Sequence, residues 1–130
     1  MVRGLNKVMV IGYLGRDPEM RFTPNGKSVS NFSVACHRSW QGSNGDIHND
    51  TDWFNVVAWG DLAELAKERL EKGNLVYIEG RLQSRNWQDT KGHQHKSIEI
   101  IARDIHLLSD TQKDEKFDGD AFEDSEEETF

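Results

Sequence analysis

Apolar positions recur with period two in several segments of this chain and with helical spacing in only one. In Trp53-Phe54-Asn55-Val56-Val57-Ala58-Trp59 the even positions are all apolar, while the odd positions carry Trp53, Asn55, Val57 and Trp59. A strand sends alternate side chains to opposite faces, so Phe54, Val56 and Ala58 predict a core face and both tryptophans are predicted on the other. Further along, Val76, Ile78, Gly80 and Leu82 form an apolar side opposite Arg81, Gln83, Arg85 and Trp87. Between these segments Leu62, Leu65, Ala66 and Leu70 recur at helical spacing. Asp61 is placed to cap that helix, Glu64 stands at its third position, and Gly73 is placed to end it.

The remaining chain reads as strands and turns. Lys7 to Leu14 is an apolar, β-branched stretch followed by the turn Gly15-Arg16-Asp17-Pro18, and Met20 to Thr23 reads as a short strand. Pro24-Asn25-Gly26 signals a hairpin, because proline presets φ and Asn-Gly tolerates positive φ. Val29 to Trp40 then reads as a long strand and Asp52 to Gly60 as another, with the polar, Gly-rich Gln41 to Thr51 expected to be a mobile loop. After the helix come Leu75 to Trp87, the turn Asp89-Thr90-Lys91-Gly92, and Lys96 to Leu108. Three strands, a helix and two strands give an all-β fold with one short helix, the order β-β-β-α-β-β of a five-stranded OB-fold barrel. That barrel is expected over residues 1–108, with 109–130 as a disordered acidic tail.

Charge changes this picture only once its distribution is considered. The chain carries a formal net charge of −7. From Asp110 to Phe130, ten acidic residues face two lysines, a net of −8, which leaves residues 1–109 at +1. An acidic whole-chain balance therefore does not exclude a polyanionic partner for the barrel. The apolar runs are too short for a transmembrane helix, and the N-terminal residues show neither a secretory signal nor a transit peptide. The single cysteine excludes an internal disulfide framework; Cys36 reads as a small buried thiol, and a cytoplasmic, nucleoid-associated location is expected.

The candidate chemistry lies in four tryptophans set among polar residues. Trp40 stands in His-Arg-Ser-Trp-Gln-Gly and Trp87 in Ser-Arg-Asn-Trp-Gln-Asp. Exposed indoles beside arginines suit the stacking of unpaired bases, each stack being worth about 1–3 kcal/mol irrespective of base identity. An indole can also close a barrel end or fill a subunit contact. Four of them, with neighbouring arginines, favour stacking.

Other functional classes find less support. His93 and His95, joined by His37 or His48, have strand spacing that a metal could use, but with one cysteine and no ordered carboxylate cluster the reading is no metal, no cofactor and no enzymatic activity. No glycine-rich phosphate loop or nucleophile–base motif is apparent. An OB module that binds RNA, or a protein-only adaptor of replication complexes, is the alternative that the fold admits.

The segments Arg3-Gly4-Leu5-Asn6-Lys7-Val8, Gly12-Tyr13-Leu14-Gly15-Arg16-Asp17-Pro18-Glu19-Met20-Arg21 and Pro24-Asn25-Gly26 resemble the bacterial single-stranded DNA-binding protein family. So do Lys72-Gly73, Val76-Tyr77-Ile78-Glu79-Gly80 and Arg85-Asn86-Trp87. The resemblance covers about residues 1–108 and implies sequence-independent binding of single-stranded DNA, usually by a homotetramer. It implies base stacking by Trp40, Trp53, Trp59 and Trp87, and backbone contacts by Arg3, Arg21, Lys72 and Arg85. Asn55, Asp61, Gln83 and Asn86 stand where relatives often carry a basic residue, which predicts a shallower salt dependence. The resemblance also implies a subunit interface near Lys7, Phe54, Tyr77 and Glu79. Alternation instead sets Tyr77 on the Trp87 side unless the strand bulges at Gly80.

The tail ends in Glu126-Glu127-Glu128-Thr129-Phe130, similar to the family's acidic tip with a final phenylalanine. That similarity implies docking of replication, recombination and repair proteins. The family's usual Ile-Pro before the phenylalanine is absent here, as is most of the long linker. A charged solubility tail is the competing reading.

Overall fold

The computed structural model describes residues 3–109. Six strands and one helix follow in the order β1 (Val8–Leu14), β2 (Glu19–Phe22), β3 (Ser28–Gln41), β4 (Ile47–Trp59), α1 (Asp61–Arg69), β5 (Leu75–Gln88) and β6 (Gln94–Leu107). Five of them close a ring. β1 pairs with β5, β5 with β6, β6 with β4 and β4 with β3, and β3 returns to β1 through Tyr13↔Ala35 and Leu14↔Val34. The contact between β4 and β6 is parallel and the others are antiparallel; short β2 adds to β3 outside the ring. This is the expected five-stranded OB-fold barrel, with β2 as a sixth, accessory strand.

The barrel interior is filled from every ring strand. Val10 and Leu14, Phe32 and Val34, Val56 and Ala58, Val76 and Ile78, and Ile100 and Ile105 are all buried together. Period-two patterning dictates this arrangement, since each strand turns one apolar set inward and leaves the other outside. α1 packs on the barrel through Ala63, Ala66 and Leu70, and the buried Ser30 Oγ donates to Ala63 O at 2.8 Å.

Several local expectations need correction. Gln41 to Thr51 is not a mobile loop: β3 and β4 pair continuously from Val29↔Trp59 to Gln41↔Ile47. A tight turn closes this hairpin, with the Gly42 N–H donating to Asp46 O and Gly45 at φ 91°. Polar strand residues hid it, because its outer half is held by cross-strand polar pairs and not by apolar burial. Asp61 does not cap α1. Gly60 occupies the cap position at φ 62°, ψ −128°, a backbone conformation that suits glycine, so Asp61 is the first helical residue. The helix ends at Arg69 with Leu70 extended, and Gly73 serves the next turn, donating its N–H to Leu14 O at 3.0 Å. Leu82, expected on the core side, is exposed because the β5–β6 hairpin has left the barrel there.

The pairing of β5 with β6 is irregular between Glu79 and Gly80. Glu79 faces Asp104 and Gly80 faces Ala102, so the extra residue, Arg103, lies on β6. Alternation along β5 is therefore unbroken. Tyr77 and Glu79 keep the outward parity that they share with Trp87.

Candidate nucleic-acid interface

All four indoles lie at the surface: Trp40 is 46% exposed, Trp53 56%, Trp59 44% and Trp87 43%. Large apolar rings held about half open do not contribute to this core, which is complete without them. Trp53 and Trp59 occupy the outward parity of β4, opposite Ala35 and Val29. Trp40 reaches the surface differently. It shares its β3 parity with the core residues Phe32 and Val34, but the hairpin projects beyond the barrel at that point.

Each ring has its own support. Trp53 lies against Gly15, where an added Cβ would meet the indole. Trp59 helps to line a depression of about 470 Å³ together with Gly26, Lys27, Ser28 and Gly60. Trp40 stands directly across β3–β4 from His48, with ring centroids 5.3 Å apart and planes 23° from parallel. Trp87 stands across β5–β6 from His95, at 4.4 Å and 18°. The two projecting hairpins thus carry the same pair, a tryptophan on the first strand stacked on a histidine of the second.

Two nearby arginines already have acidic partners. The guanidinium of Arg38 lies 5.2 Å from the Trp40 ring and pairs with Asp52 at 2.9 Å and Asp50 at 3.3 Å. The hydrogen bond and charge of Asp52 hold Arg38 even more firmly protonated than usual. Arg85, expected to meet the DNA backbone, pairs with Glu99 at 3.4 Å. Arg3, Arg21 and Lys72 are exposed, and the Lys72 backbone N–H donates to Asp17 Oδ1 at 2.8 Å. Asn6 anchors the segment that carries Arg3: its side-chain amide donates to Leu82 O and accepts from Leu82 N–H, both at 2.8 Å. Asn55, Asp61, Gln83 and Asn86 are exposed as well. The arginines near Trp40 and Trp87 in the sequence, Arg38 and Arg85, are thus compensated by acidic partners.

The residues considered for a subunit interface do not form one group. Tyr77 Oη donates to Glu79 Oε1 at 2.7 Å, and Lys7 Nζ lies 3.4 Å from Glu79 Oε2. The Glu79 carboxyl is held below its ordinary range, first by the Tyr77 hydrogen bond and then by Lys7, and the Tyr77 hydroxyl is pushed up in return. Phe54 sits elsewhere, packed against the core. The tip residues Glu126, Glu127, Glu128, Thr129 and Phe130 lie outside the described residues.

Sequence reasoning considered His48 and His95 only as metal ligands and missed the ring pairs. Among the described residues no group of three or more His, Cys, Asp or Glu side chains could hold a metal ion. The signal was the spacing Trp-Gln-x-x-x-Gly-x-x-His, present at Trp40–His48 and again at Trp87–His95, which closes into direct cross-strand pairs around Gly-containing turns. Among the same residues, no helix is long and apolar enough to cross a membrane.

Comparison with known proteins agrees with this geometry. Residues 5–108 match the Single-strand binding protein family. The chain belongs to this family. Curated relatives include Single-stranded DNA-binding protein 1 of Chlorobaculum tepidum, 49% identical over 109 residues, which cover 83% of this chain and 67% of that one. The Single-stranded DNA-binding protein of Neisseria meningitidis serogroup A is 47% identical over 104 residues, 80% of this chain and 60% of the relative. The chain thus spans about three fifths of the length of this second relative. A solved structure described as the Plasmodium falciparum SSB complex with ssDNA superimposes with a TM-score of 0.79 at 30% identity, covering 84% of this chain and 99% of that one.

Proposed function

We propose that this chain binds single-stranded DNA irrespective of sequence, coating and protecting it during replication, recombination and repair. The observation that carries the proposal is the set of four half-exposed indoles on the strands of the barrel, each ring offering a stacking surface that any base can use. Similarity to a relative solved with single-stranded DNA supports the same reading. Binding of this kind needs no catalytic step and no cofactor. Trp40, Trp53, Trp59 and Trp87 are assigned to bases, and Arg3, Arg21, Lys72 and Arg85 to phosphates. Because Arg38 and Arg85 already have acidic partners, stacking carries a large share of the affinity and the salt slope is shallow.

The same proposal includes a homotetramer in the cytoplasm, with Lys7, Phe54, Tyr77 and Glu79 near a subunit contact. It also includes recruitment of partner proteins through Glu126–Phe130. The decisive experiment is titration with oligo-dT while following intrinsic fluorescence, combined with mass measurement in solution. Strong quenching to a defined stoichiometry is expected. Unchanged emission at saturating strand would remove the proposal, and tighter binding of the matching RNA would favour an RNA-binding OB module instead.

A further inference from the structure

Two hairpins that share the spacing Trp-Gln-x-x-x-Gly-x-x-His, Trp40 to His48 and Trp87 to His95, present one construction. Trp40 and His48 are direct cross-strand partners near the tip of β3–β4, and Trp87 and His95 are direct partners near the tip of β5–β6. In both, the imidazole lies nearly parallel to the indole, at 5.3 Å and 4.4 Å between centroids. Each histidine covers part of a half-exposed ring.

The imidazoles are held in turn by their hairpins. His95 Nε2 lies 2.8 Å from Asp89 Oδ2, and Asp89 Oδ1 accepts the backbone N–H groups of Lys91 and His93 at 2.9 Å each. The turn thus grips the carboxylate, the carboxylate grips the imidazole, and the imidazole backs Trp87. His48 lies over Gly42, where an added Cβ would approach Nε2 to 3.0 Å, so the turn leaves room for one ring there and little else.

We propose that His48 and His95 are positioning residues for strand binding, each fixing one indole for a base. This deepens the reading of the chain as a single-strand binder and rests on it. A stacked cross-strand ring limits the orientations open to an exposed indole, so less conformational freedom is lost when a base stacks on it.

The charged surroundings of both pairs are explicit. Around Trp40–His48 they are Arg38 on β3, which lies over the same indole, with Asp50 and Asp52 on β4 and Asp46 in the turn. Around Trp87–His95 they are Asp89, His93 (3.7 Å from the Asp89 carboxylate) and, further along the same face, Arg85 paired diagonally with Glu99. The other histidines lie away from the indoles: His37 bonds Thr51 and His106 packs against Tyr77.

The test is oligo-dT binding at about pH 8 by the wild-type chain, H48Q/H95Q and H48F/H95F, where imidazole is neutral. The glutamine pair removes the ring stack, whereas the phenylalanine pair keeps a ring in place. H48Q/H95Q is expected to bind about three- to tenfold more weakly than wild type, with H48F/H95F near wild type. Tryptophan emission of the free protein supplies a second readout, expected to shift in H48Q/H95Q and to stay near wild type in H48F/H95F. Equal affinity in all three proteins would overturn the positioning role while leaving strand binding intact. Failure of the wild type to bind would overturn both.

Discussion

Gly15 lies against the indole of Trp53: a Cβ at Gly15 would stand 2.5 Å from Cζ3 and 3.0 Å from Cη2 of that ring. The glycine is therefore part of the aromatic surface, although it offers no side chain to a ligand. Its backbone N–H also donates to Ser33 O at 3.0 Å, which keeps this segment beside β3. Gly15→Ala is expected to displace the indole and leave the fold intact, since Trp53 is more than half exposed and can swing outward. The loss in oligo-dT affinity should be about fivefold, roughly 1 kcal/mol out of a full stack. Parallel binding titration and thermal unfolding check this, and a large drop in melting temperature would contradict it.

Glu99 sets how much of Arg85 is available to a phosphate. The carboxylate lies 3.4 Å from Nη1 and is much the less exposed partner. Glu99→Gln is expected to strengthen strand binding about two- to threefold at low salt and to steepen the salt slope. The gain should fade at high salt, where exposed charges are screened. Arg85→Ala should weaken binding in the same assay.

Asp89 makes the end of the β5–β6 hairpin sensitive to acid. Its carboxyl is held below its ordinary value, first by His95 and then by the backbone N–H of His93. A depressed carboxyl contributes stability that is fully present above its unfolded value of about 3.9 and is lost as pH falls through the lower folded value. The Lys91 and His93 amide resonances should therefore move together in the acid range, below about pH 4. They should stay still over that range in Asp89→Asn.

Core and surface aromatics should separate cleanly in mutagenesis. Phe32 is 1% exposed at the centre of the barrel, and Phe32→Ala should cost about 3–5 kcal/mol of stability in denaturant unfolding. Trp53→Ala should cost little stability and about 1–3 kcal/mol of strand affinity. The opposite ranking would make Trp53 a structural residue.

Cys36 should be a slow thiol in the native protein. Burial, then the negative charge of Asp52, pushes its value up, and its Sγ lies 3.3 Å from Ile11 O. Reaction with a disulfide reagent at pH 8 should be much faster in denaturant than in buffer.

Much of the barrel was legible in the chain because its signals are local. Phe54, Val56 and Ala58 announce an inward face by alternation, and Trp53 and Trp59 must then point outward. Local rules failed where a neighbour from another element decided the outcome. Gly60, not Asp61, caps α1, because β4 runs to Trp59 and the chain must then reverse. The outer half of β3–β4 was invisible because Arg38, Asp50 and Asp52 hold it by charge.

Alternation along the chain sets the parity of each strand residue, because the period of a strand depends only on the chain, but at Trp40 and Leu82, where the hairpins leave the barrel, the inward parity no longer brings burial. Cross-strand neighbours appear only in the folded chain: His48 opposite Trp40, His95 opposite Trp87, Glu99 diagonal to Arg85 and Arg103 bulged from β6 all depend on register. Register is set by the turn within each hairpin and by closure of the barrel as a whole, so no single strand carries it.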